Sequence, residues 1–212
     1  MNCILLRRTT DNAAGQLEAL FKSATITTVQ GRNTSSQGSV QFSISGNPAK
    51  YVFSICNGYV GIWKWINAAF NTTALKKTST SYGGITKSSG IWYYYNGGYS
   101  TSASYSNIYG ATVAVLTFSS DYSTSEIDTI LSNLSVSRLG YRNNSSTGTV
   151  RTNNTANKLY IAAKGLTIDF WAPDSTDTYR KILGSSSGSA GSVSSGYLTL
   201  GSVYGGSIIG IS

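Results

Sequence analysis

Apolar residues recur along the chain in two short helical patterns and many strand-like ones. Leu17, Leu20 and Phe21 stand at i, i+3 and i+4, the spacing that puts three side chains on one face of a helix. Ile127, Ile130, Leu131 and Leu134 continue in the same way later in the chain. Ahead of them Ser123 and Glu126 have the S-x-x-E form of a capping box, in which each side chain accepts the other's backbone N–H. Elsewhere the period is two. Val40, Phe42 and Ile44 alternate with Gln41 and Ser43, and Leu166, Ile168 and Phe170 alternate with Thr167 and Asp169, which predicts strands with one buried face. Apolar and aromatic runs predict further strands over 51–55, 59–65, 91–95, 158–162 and 197–200. Ser and Gly clusters separate them, and 185–196 reads as a long loop.

The pattern also repeats. Residues 3–43 can be laid on residues 113–153 without a gap, so that Cys3–Leu6 falls on Val113–Leu116 and Leu17, Leu20 and Phe21 fall on Ile127, Ile130 and Leu131. The strongest stretch sets Arg32-Asn-Thr-Ser-Ser-Gln-Gly38-Ser-Val40 against Arg142-Asn-Asn-Ser-Ser-Thr-Gly148-Thr-Val150. With small gaps the match extends through Gly58 and Gly165, Gly90 and Gly196, and Gly97-Gly98 and Gly205-Gly206. The expected fold class is therefore mainly β with minor helix: two tandem, related β-sandwich-like modules, 1–110 and 111–212, each with one short helix packed on a sheet.

Composition narrows the chemistry. The 212 residues include no His, which removes imidazole-based triads, His metal ligands and His proton shuttles. Only 11% are charged, against about a quarter in ordinary soluble domains, and Ser, Thr, Asn, Gly and Tyr fill the deficit. The net charge of +8 is lopsided, because no acidic residue occurs between Glu18 and Asp121. Residues 1–110 hold 9 basic and 2 acidic side chains, and residues 111–212 hold 7 and 6. A positive field of this kind favours anionic partners, or else serves solubility. The apolar stretch at Cys3–Leu6 is too short for a signal-peptide core, and no run reaches the length of a membrane helix, so no membrane insertion is expected. Cys3 and Cys56 are too few for a disulfide framework or a zinc site and read as buried thiols.

Candidate sites are few. Asp169, Asp174 and Asp177 form the only local acid cluster, and two carboxylates at the right separation hydrolyse glycosidic bonds. Pro173-Asp174-Ser175 is also what a turn between strands looks like. Neither Gly83-Gly84 nor Gly97-Gly98 has the Lys-Ser/Thr of a phosphate-binding loop, and no metal or cofactor is expected. Trp63, Trp65, Trp92 and Tyr94, with Lys64, Lys76, Lys77 and Lys87, are the candidate partner or glycan contacts, since aromatic rings with cations suit protein interfaces, sugar rings and stacked bases. The same tryptophans on alternate strand positions equally suit a core. In the run Trp92–Tyr95 neighbouring rings must point to opposite faces.

Leu166-Thr-Ile-Asp-Phe170-Trp171-Ala-Pro-Asp174, followed by Tyr179-Arg-Lys-Ile-Leu183-Gly184, resembles the leading strands of laminin-G-like or concanavalin-like jelly rolls. Val115-Leu-Thr-Phe118-Ser-Ser-Asp-Tyr-Ser123-Thr-Ser-Glu126-Ile127 resembles the closing strand and short helix of that family, in reversed order for one domain. The resemblance implies β-sandwich architecture and a sugar-facing role, and it places no metal or sugar ligand. The composition resembles that of bacteriophage virion proteins. The expected function is a non-enzymatic structural or assembly component of a virus particle: a bacteriophage tail, baseplate, fibre or head-surface protein, made in the host cytoplasm and released by lysis. Its expected partners are other virion proteins, copies of itself, and a cell-surface glycan or another anionic surface. The alternatives are a glycan-binding adhesin and, third, a carboxylate glycosidase using Asp169 and Asp174.

Overall fold

A computed structural model describes residues 13–36, 38–44, 50–66, 69–70, 74–78, 83–88, 90–95, 109–143, 145–175 and 178–212. The strand expected at Cys3–Leu6, Gly97-Gly98 and Asp177 lie outside them. The described residues are mainly β with two short helices, as the alternation predicts.

The first half runs α1 (Ala13–Lys22), β1 (Thr25–Asn33), β2 (Val40–Phe42), β3 (Lys50–Cys56), β4 (Tyr59–Ile66), β5 (Ala69–Phe70), β6 (Lys76–Lys77), β7 (Gly84–Ser88), β8 (Ile91–Tyr95) and β9 (Gly110–Thr117). The second runs α2 (Thr124–Asn133), β10 (Val136–Arg142), β11 (Gly148–Thr152), β12 (Leu159–Lys164), β13 (Thr167–Asp174), β14 (Thr178–Gly184), β15 (Ser192–Ser194), β16 (Tyr197–Val203) and β17 (Gly206–Ile211). A large sheet in the first half has the order β1-β9-β3-β4-β5, with β6 also on β4, and one in the second has β10-β17-β12-β13-β14. Each is accompanied by a three-stranded sheet, β2-β8-β7 and β11-β16-β15. The strand order is thus the same in both halves, and the described pairings are antiparallel.

The sheets form four layers. Along β3, Tyr51, Phe53 and Ile55 face one way, into a core shared with Leu159, Ile161, Ile168, Phe170 and Ile209 of the second large sheet. Val52 and Cys56 face the other way, against Phe42, Trp92 and Tyr94 of the small sheet. The second half is built alike, with Tyr160, Ala162 and Trp171 packed on Leu198 and Leu200. Covering both faces explains why β3, β9, β12 and β17 read as near-continuous apolar runs.

Both helices plug the central core with the faces their spacing predicts. Leu17, Leu20 and Phe21 of α1 and Ile127 and Leu131 of α2 are buried in it. Phe21 stacks on Phe170, with ring centroids 4.9 Å apart, and meets Phe53 edge-on at 6.1 Å. It therefore touches both large sheets. The capping box of α2 is formed: Ser123 N–H donates to Glu126 Oε2 at 2.8 Å and Glu126 N–H donates to Ser123 Oγ at 3.3 Å.

Four details differ from the sequence reading. The strand at 113–116, placed there at the head of the second module, pairs with β1 and β3 in the first large sheet, so the chain passes between the large sheets after Thr117 rather than at 110. The helices also cross over: α1 lies against β12 and β14 of the second large sheet, and Asp128 of α2 bonds to β3 and β4 of the first. Residues 192–194, read as loop, are β15. Finally, Asp169 is buried while Leu166 is 53% exposed, because β13 is covered on both faces and Leu166 sits in the preceding turn.

Candidate functional site

The aromatic candidates come together. β4 places Trp63 and Trp65 on the face toward the small sheet, where β8 supplies Trp92 and Tyr94. All four are under 10% exposed. Trp65 and Trp92 meet edge to face at 5.9 Å, and Trp63 Nε1 donates to Ser54 Oγ at 3.0 Å. Burial pushes the Tyr94 hydroxyl well above its ordinary pKa, reinforced by neighbouring Cys56, and a bond with Ser54 partly opposes this. Burial alone takes the Cys56 thiol up to about 12. These rings are the packing between two sheets and present no exposed platform for a sugar or a partner.

The lysines separate into two roles. Lys64, between the two tryptophans, points to the opposite face of β4 and pairs with Asp128. The Asp128 carboxylate also accepts from Tyr51 Oη at 2.9 Å. Lys77 and Lys87 instead rim the aromatic layer, their ammonium groups 5.4 Å and 5.5 Å from the ring centroids of Trp63 and Trp92. Lys76 lies beside Lys77 on β6.

The acid cluster is taken apart by its strand. Asp169 and Asp174 are five residues apart on β13, about 17 Å at the usual strand rise and on opposite faces. A glycosidase pair needs roughly 5–10 Å. Asp174 pairs with Thr178 across the β13–β14 hairpin, so Pro173 and Asp174, read as turn, are the last residues of β13 and the turn begins at Ser175. Asp169 instead anchors a loop: its Oδ2 accepts from Ser189 Oγ at 2.7 Å, Ala190 N–H at 2.7 Å and Gly191 N–H at 3.2 Å. Among the described residues no cluster of three or more His, Cys, Asp and Glu is placed to hold a metal ion. No helix among them is long and apolar enough to cross a membrane.

No protein-family model, curated protein or solved structure matches this chain. The geometry itself is therefore what bears on function.

Sequence reasoning missed the polar contacts that join the halves. Glu18 of α1 accepts a two-pronged bond from Arg180 of β14, at 2.6 and 2.5 Å, and pairs with Lys22 at 2.6 Å. Arg180, opposed by burial and helped by Lys22, holds the Glu18 carboxyl near 2. Arg138 of β10 lies between the rings of Tyr59 and Tyr141, 4.1 and 3.7 Å from their centroids, and donates to Tyr59 Oη at 2.7 Å. One signal was available. Glu18 falls on Asp128 in the gap-free overlay, and both carboxylates turn out to tie a helix to the other half's sheet.

Proposed function

We propose that the chain is a non-enzymatic structural component of a virus particle, a bacteriophage tail, baseplate, fibre or head-surface protein, that works by assembling with other virion proteins and copies of itself. One observation supports this most. Glu18, Glu126, Asp128 and Asp169, four of the eight acidic residues, are engaged in holding helices and a loop in place. Lys77 and Lys87, by contrast, rim a packed aromatic layer, and Lys76 lies beside Lys77 on β6. The excess of basic over acidic side chains makes the outer field positive, which suits an anionic neighbouring subunit. Lys64 drops out of that surface, because it pairs with Asp128.

Fractionation of the native particle should place the protein in the virion, and light scattering of the pure protein should reveal self-association. Exchanging Lys76, Lys77 and Lys87 together for Gln should slow association several-fold at 0.1 M salt and have little effect at 1 M, where the screening length falls from about 10 to 3 Å. A protein absent from the particle, or a triple variant associating at the parental rate at low salt, counts against the reading.

A further inference from the structure

We infer that the first half carries a binding cleft for a neutral saccharide between β1 and the small sheet. Thr28 and Gln30 of β1, Gln41 and Phe42 of β2, Ser43 and Ile91 line a cavity of about 500 Å³. That volume falls within the range of small-ligand sites and accommodates two or three sugar rings. Its chemistry is specific in kind. Two amides and two hydroxyls each offer both donor and acceptor atoms, which is what vicinal sugar hydroxyls require. Ile91, 37% exposed, supplies an apolar patch for the C–H face of a ring, while Phe42 is buried beneath the floor against the large sheet. None of the described lining residues is charged, although the protein carries +8 overall, so this is the wrong place for a phosphate or carboxylate.

The second half shows that the cleft is not an automatic product of the fold. Thr28, Gln30, Gln41 and Ile91 align with Arg138, Gly140, Arg151 and Tyr197. There the aligned side chains are engaged elsewhere: Arg138 reaches across to the first half, between the rings of Tyr59 and Tyr141, and Arg151 lies 4.7 Å over the Tyr197 ring. At Gly140 a Cβ would stand 2.9 Å from the Val150 side chain. Where the second half has an arginine stacked on a tyrosine across its small sheet, the first has Gln41 and Ile91 beside an opening. This site uses none of the buried tryptophans and does not depend on the assembly role.

The test is titration of the whole protein with maltotriose, cellotriose and chitotriose by saturation-transfer NMR and calorimetry, alongside an array of neutral glycans. At least one neutral glycan should bind, with equal affinity at 0.15 and 1 M NaCl. Gln30→Ala and Gln41→Ala, both at exposed positions, should each weaken it about tenfold or more with an unchanged melting temperature, and Arg151→Ala should leave it intact. No binding across the neutral array overturns the inference, as does binding that survives both glutamine substitutions. Binding abolished by salt, or seen only with acidic glycans, overturns it as well and points to the lysine rim instead.

Discussion

Glu18 illustrates how one side chain links helix, sheet and pH. Its carboxyl lies near 2 in the folded protein, against an ordinary 4.5, chiefly because Arg180 donates two bonds to it. A depressed folded pKa means that the stabilisation is fully present above about 4.5 and is lost as pH falls from there toward 2. Because Arg180 is 41% exposed, solvent screening reduces the contribution to about 1–2 kcal/mol. Glu18→Gln should therefore cost that much at pH 6.5 and show a flatter stability profile between pH 4.5 and 2, measured by urea unfolding; parallel profiles for the two proteins would sink the assignment. Asp169 is a different case, since it is wholly buried. Asp169→Ala strands three donors from residues 189–191, at a cost of about 2–4 kcal/mol. Hydrogen exchange should show the amides of Ala190 and Gly191 losing protection first.

At the scale of elements, the strongest sequence repeat turns out to be architectural. Arg32 folds back over its own loop, its Nη2 donating to Ser36 O at 3.0 Å and Ser36 Oγ at 2.9 Å, and Arg142 donates to Ser146 O and Thr147 O, both at 3.1 Å. Gly38 and Gly148 recur because a side chain there would fall on the guanidinium. Gly148→Ala should cost about 1 kcal/mol, since Arg142 can swing aside at the expense of its loop bonds. At Gly31 the same methyl would strike the Gly165 carbonyl, which is backbone and cannot yield, so Gly31→Ala should cost about 3 kcal/mol. Thermal melts that reverse this ranking would refute the explanation. The same scale separates what was readable from what was not. Helices α1 and α2 and strands β2 and β8 were legible because one buried face imposes a period on the sequence, and β3 and β4 because burial on both faces makes them apolar runs. β1 was not: Thr-Ile-Thr-Thr-Val-Gln lies at a sheet edge and shows no alternation of buried and exposed positions. Period two correctly put Trp63 and Trp65 on one face of β4, but nothing local reveals that a further sheet covers that face. The cleft at Gln30 and Gln41 was illegible for a related reason, as its walls come from strands that meet only in the tertiary fold.

For the molecule as a whole, the unread feature is the shared interior. Similar strand orders suggest two modules that each fold alone, yet the central core draws on both large sheets and both helices. Each helix is held by the opposite half, through Glu18 and Arg180 on one side and Asp128, Lys64 and Tyr51 on the other. Cutting the chain after Phe118 would leave Leu20 and Phe21 without β12 and β14, and would bare Tyr51, Phe53, Ile62 and Leu116 to water. At about 1.5–3 kcal/mol per buried side chain, these six alone amount to roughly the 5–15 kcal/mol that holds an ordinary domain together. Neither 1–118 nor 119–212 should therefore unfold cooperatively on its own, and each should give poorly dispersed amide spectra. Mixed in equal amounts they should recover a single transition, shifted down by the entropy of bringing two chains together. That recovery should be weaker for a first fragment carrying Glu18→Gln, because the ion pair then spans the two chains. Either fragment melting sharply alone, with well-dispersed spectra, would show that the halves are independent units and that the shared core is only a docking surface between them.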